Sequence, residues 1–146
     1  MKDNKVLISG AVIYKEYRGK RSWLVIKKSA EDDWEIPKTV VRKGESSVRA
    51  AIRMMGEQAG MSTKVIEEAG RAHGSATING RVVPQRFIYY LMSLKSSGEI
   101  LGFERSGWFQ YAKAAKGLAT KRERAMLREA REELKKWKKA HSKEKR

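Results

Sequence analysis

Met54, Glu57 and Gln58 stand at i, i+3 and i+4 of a segment with helical periodicity, so they share a face and can present three neighbouring groups to one ligand. Their chemistry is uneven. Glu57 is a carboxylate, the donor that a hard divalent cation prefers, and Gln58 adds only a neutral carbonyl oxygen. Met54 is a soft thioether with almost no affinity for such a cation. Glu57 and Gln58 are therefore the candidate metal ligands, and Glu57 alone makes a poor site. The loop ahead of this segment carries the cations Lys38, Arg42 and Lys43, which can cradle a phosphate or serve only as solvated loop side chains.

The element that positions these groups has its own punctuation. Ser46 or Ser47 suits a helix N-cap, and Gly60 sits where a left-handed residue ends a helix. Val48, Ala51, Ile52, Met55 and Ala59 recur between them at helical spacing and are read as the buried stripe. Upstream, Val6–Tyr14 and Ser22–Lys28 are rich in β-branched and aromatic residues around Tyr17-Arg18-Gly19-Lys20, which predicts a hairpin. Downstream, Val65–Ala69 and Arg71–Ile78 read as two strands, and Asn79-Gly80 is a strong tight-turn dipeptide before a strand over Arg81–Leu94. Tyr89 and Tyr90 fall on that strand, where alternation sends them to opposite faces; one can stack a base, with core packing the simpler role.

Glu45, Arg53, Met55, Glu57, Gly60 and Met61 occupy positions of the Nudix box, whereas Thr39, Met54 and Gln58 stand where that pattern has a glycine and two glutamates. Gly10-Ala11-Val12-Ile13, Trp23-Leu24-Val25-Ile26 and Trp108-Phe109 extend the similarity over most of residues 5 to 135. The chain thus resembles the Nudix hydrolases. Trp34-Glu35-Ile36-Pro37-Lys38 is most similar to the branch containing diadenosine tetraphosphate hydrolases, where a Pro-Lys-Gly turn precedes the box.

The resemblance implies an α/β/α sandwich with a mixed sheet, and a site that uses Mg²⁺ or Mn²⁺ against a pyrophosphate. In the family the three helix positions hold carboxylates that bind metal and deprotonate the attacking water. Glu57 is the one that remains here, and it is the catalytic candidate. The resemblance also implies phosphate contacts for Lys38, Arg42 and Lys43, and a loop-bracing pair between Glu45 and Arg53. A further acid from a later loop would be Glu99 or Glu104. Thr39 is a β-branched residue in place of a loop glycine, which disfavours the positive-φ geometry that glycine supplies.

The predicted organisation is one domain, with a core over 1–119 and a long basic C-terminal helix and tail over 120–146 packed on it. Thr120-Lys121-Arg122-Glu123 has capping-box form, and Leu127, Ala130, Leu134 and Trp137 follow at helical spacing. From Ala112 onward there are 14 Lys or Arg against 5 Glu, so this segment supplies +9 of a net charge of +16. Such a balance fits RNA or another polyanion, and equally a solvated helix face.

With no cysteine, disulfides and thiolate metal sites are excluded. Met1–Lys5 is too polar for a signal peptide, and no apolar run suits a membrane span, so a cytoplasmic protein is expected. His73 and His141 are far apart and carry no catalytic assignment. Three functions fit these residues: a nucleoside-polyphosphate binder with weak or absent hydrolysis, an active Mg²⁺- or Mn²⁺-dependent dinucleoside-polyphosphate pyrophosphohydrolase, and an RNA-binding scaffold using the basic helix. The first is favoured.

Overall fold

The computed structural model describes residues 5–98, 100 and 102–142. A mixed sheet runs in the order β4-β5-β1-β2-β6: β1 (Val6–Tyr17), β2 (Lys20–Lys27), β4 (Ser62–Ile78), β5 (Arg81–Ser96) and β6 (Arg105–Phe109). The short β3 (Lys38–Val40) adds to β1 alongside Ile8–Gly10. Among the strand pairings of the described residues, only β1–β5 is parallel. Helix α1 (Ser47–Ala59) covers one face, and α2 (Tyr111–Gly117) and α3 (Lys121–Ser142) cover the other. This is the expected α/β/α arrangement.

Coverage of both faces explains why β1 is almost wholly apolar in its middle, with every residue from Ile8 to Tyr14 buried and the one polar side chain, Ser9, donating to Ser47 O at 2.6 Å. Ala11 and Ile13 join Leu24, Ile26, Met55 and Met92 beneath α1, while Val12 and Tyr14 join Val25, Leu91, Leu127 and Leu134 beneath α3. Gly10 lets a ring cross β1: a Cβ there would lie 2.4 Å from Tyr89 Cδ1. That ring is how Tyr89 reaches α3.

The two tight turns form as expected. Arg18-Gly19 and Asn79-Gly80 have φ of 52° and 76°, and of 51° and 76°, the left-handed pair of a two-residue hairpin. Two sequence expectations change. Val65–Ala69 and Arg71–Ile78 belong to one long strand, β4, because irregularities at Val65/Glu67 and Glu68/Gly70 absorb the break in alternation without ending the pairing with β5. The short α2 was not legible from periodicity; about two turns offer too few repeats. The C-terminal helix starts where expected, with the Glu123 amide donating to Thr120 Oγ1 at 3.2 Å. The tail residues Lys143, Glu144, Lys145 and Arg146 lie outside the described residues, as do Met1–Asn4.

Candidate phosphate cleft beside the box helix

Helix α1 begins at Ser46, whose side chain accepts from the Arg49 amide at 3.2 Å, and ends at Gly60 with φ of 58°. The loop entering it is locked by Glu45. Its carboxylate accepts from Arg53 Nε at 2.7 Å, Arg53 Nη2 at 3.0 Å and the Arg42 amide at 3.1 Å. The Arg53 hydrogen bonds, aided by the Arg42 amide, hold the Glu45 carboxyl down at about 2, and the same pairing raises Arg53. The expected brace is therefore formed.

Glu57 is half exposed, and it faces cations: Oε2 lies 3.7 Å from Arg53 Nη1 and 4.0 Å from Arg42 Nη2. The Gln58 backbone carbonyl accepts from the Gly102 amide at 2.8 Å, which ties the end of α1 to the loop before β6. Met54 departs from the sequence expectation. It is 3 % exposed and packs with Ala11, Ile13, Leu24 and Ile26, so it forms part of the apolar floor and does not share an open ligand face with Glu57. Ile52 departs in the other direction, being 42 % exposed. Helix α1 is rotated so that Ala51, Met54, Met55 and Ala59 face the sheet, and tertiary packing, not stripe spacing, selects that face.

A cleft of about 360 Å³ opens between β3, α1 and the loop before β6, lined by Lys28, Lys38, Thr39, Met54, Gln58 and Phe103. A second groove of about 250 Å³ shares Lys28, Lys38 and Thr39 with it and continues over Val40, Phe87 and Arg122.

Lys38 was expected as a phosphate cation. Its ammonium instead donates to Glu35 Oε1 at 3.1 Å, Ile36 O at 2.9 Å and Glu123 Oε2 at 3.0 Å, which uses all three of its donors. Arg53 is similarly committed to Glu45, whereas Arg42 and Lys43 are exposed on the loop. Lys28 and Arg122 are the lining cations that sequence reasoning missed. Arg122 lies 3.9 Å over the Phe87 ring and donates to Tyr89 Oη at 3.3 Å.

Glu123 was also missed as a site-shaping residue. It is 3 % exposed and gathers the Ile36 amide at 2.8 Å, Lys38 and Tyr89 Oη at 2.8 Å. Burial and the neighbouring Glu123 carboxylate push the Tyr89 hydroxyl far above the usual phenol range. Tyr89 is thus a core residue, and Tyr90, on the other face, bonds Ser47 Oγ. The signal for Glu123 was a glutamate on the side of α3 that its own apolar stripe marks as buried.

Among the described residues no group of three or more His, Cys, Asp or Glu stands together to hold a metal. One carboxylate between two guanidiniums, an amide oxygen and a thioether do not fit a hard divalent cation. Glu104 is exposed and lines none of these clefts, and Glu99 lies outside the described residues.

The family model for the NUDIX domain matches residues 7–130. The chain belongs to the Nudix family. Its fold is shared with a Caenorhabditis elegans Ap4A hydrolase solved as a binary complex, at 24 % identity and a TM-score of 0.73, covering 88 % of this chain and 97 % of that one. A Nudix hydrolase from Nitrosomonas europaea matches at 18 % identity and a TM-score of 0.67, covering 86 % and 87 %. The Nudix domain of Shewanella oneidensis NrtR, solved with ADP ribose, matches at 14 % identity and a TM-score of 0.64, covering 89 % and 88 %. Comparison with curated protein sequences gave no significant match. No helix among the described residues is long and apolar enough to cross a membrane.

Proposed function

We propose that this Nudix protein binds a nucleoside polyphosphate or related pyrophosphate compound in the cleft beside α1, with hydrolysis weak or absent. The observation that carries this reading is the position of Glu57, the one carboxylate kept on the box face, between Arg42 and Arg53. Guanidiniums there favour an anionic ligand and oppose a second positive charge from a metal. Exposed Lys28 and half-buried Arg122 line the clefts, and Arg42 and Lys43 extend the same charge along the loop. Lys38 and Arg53, already paired, serve as braces that fix β3 and the loop beneath the phosphates.

The competing reading is an active Mg²⁺- or Mn²⁺-dependent pyrophosphohydrolase. It would need Glu57 and Gln58 to share a metal with the substrate's own phosphates, and it draws on the hydrolases that share the fold. The deciding experiment measures binding and turnover of nucleoside triphosphates, dinucleoside polyphosphates and ADP ribose with Mg²⁺ or Mn²⁺. We expect binding with little turnover, and hydrolysis raised by about 10²-fold or more in the double variant Met54→Glu, Gln58→Glu. A wild-type protein that already turns over rapidly, as fast as the double variant, would refute the reading.

A further inference from the structure

The surface of α3 divides into three sectors. Glu123, Met126, Leu127, Ala130 and Leu134 face the sheet. Glu129, Glu132 and Glu133 lie on one flank, where Lys136 pairs with Glu133 at 3.5 Å, while Lys135 and Arg131 reach across to Glu132 at 3.5 and 3.9 Å. Lys121, Arg124, Arg128, Arg131, Lys135 and Lys139 occupy the other flank, within about 80° of the helix circumference and along roughly 27 Å of its axis. Lys138 lies outside this arc and pairs with Glu16 on β1.

The cationic flank runs against α2. The Arg131 guanidinium lies 3.7 Å over the Tyr111 ring, and Arg124 Nη1 donates to Leu118 O at 2.7 Å. Leu118 in turn bridges to Trp34. Directly beside this contact is an apolar hollow of about 200 Å³, walled by Trp34 and Phe109 and rimmed by Lys113 and Lys116. The Lys113 ammonium sits 4.9 Å from the Phe109 ring, and Lys27 sits 4.9 Å from Trp34.

We infer that this face binds single-stranded nucleic acid, with one unstacked base in the Trp34–Phe109 hollow and the phosphates following the cationic flank of α3. An apolar aromatic hollow has no use for a bare phosphate, and a cation row has none for a neutral peptide. A single strand supplies both groups at once, because its bases are free to leave the stack, whereas a duplex keeps its bases stacked and paired. The site is separate from the cleft beside α1 and does not rest on the nucleotide-binding reading.

The test uses the full chain with labelled oligouridylate, oligothymidylate and a duplex, read by fluorescence anisotropy across a salt series. A single strand should bind more tightly than the duplex, with log affinity falling against log salt by about 0.7 for each phosphate neutralised, about 3 in total for four contacts. Preference for oligouridylate assigns RNA to the face, and preference for oligothymidylate assigns DNA. Reversing Lys121, Arg128, Lys135 and Lys139 to Glu should weaken binding at least tenfold and flatten the salt slope, with the helical circular dichroism retained. Binding should also quench tryptophan fluorescence in the wild type and lose that quench in Trp34→Phe, while Lys113→Gln with Lys116→Gln weakens affinity. Excess nucleoside triphosphate should not compete. Unchanged affinity and slope in the folded charge-reversed protein, a quench that persists in Trp34→Phe, or heparin or duplex binding as tight as the single strand would overturn the inference.

Discussion

At one end of the segment 38–45, Lys38 and Glu123 meet at 3.0 Å with the carboxylate almost wholly removed from solvent; at the other, Arg53 and Glu45 meet at 2.7 Å near the surface. The two contacts look alike on paper. At the buried end Glu123 also holds the Ile36 amide and the Tyr89 hydroxyl, and water has no access to replace it. At the surface end, solvent can take over from a lost carboxylate. One end therefore sets how firmly the segment is held, and the other sets the charge around Glu57.

The largest effect is expected from Glu123→Ala, which takes one of three acceptors from the Lys38 ammonium and leaves the buried Ile36 amide and Tyr89 hydroxyl without theirs. We expect a loss of about 3 kcal/mol in urea unfolding, with a clearly smaller loss for Glu45→Ala. Equal losses would erase the distinction between the two ends. Next in size, Met54→Glu places a carboxylate in the apolar floor under α1. Without metal it should lower stability by about 2 kcal/mol, measured by the same unfolding curves. No loss would mean that the floor admits water and that position 54 lies open to the cleft.

Tyr89→Phe removes one hydrogen bond to Glu123 while keeping the ring that crosses Gly10. A loss of about 1.5 kcal/mol is expected, and a neutral result would show that Arg122 or water already satisfies that oxygen. The smallest effect concerns acid. Because the folded Glu45 carboxyl is held at about 2, below its unfolded value, its stabilising contribution is present above the unfolded pKa and is lost as pH falls toward about 2. The melting-temperature gap between wild type and Glu45→Gln should therefore be widest near neutrality and close as pH falls toward 2. A gap that stays constant through that range would separate the brace from Glu45 ionisation.

Much of the fold was legible because its signals are local. Arg18-Gly19 and Asn79-Gly80 need only their own backbone freedom to turn, and Ser46 and Gly60 cap α1 through partners within a few residues. Glu45 and Arg53 were legible through the family pattern. The bulges that make β4 one strand were not, since a break in alternation looks the same whether pairing continues or stops.

Residue type and near neighbours suffice for the caps, the turns, the basic balance of the C-terminal helix and the single carboxylate of the box face. Tertiary structure alone decided that Met54 is floor, that Lys38 is satisfied, and that Arg122 and Lys28 line the clefts. It also decided which flank of α3 faces α2. These outcomes depend on meetings between residues as distant as Lys38 and Glu123, and no local spacing encodes which side of a helix the sheet will cover.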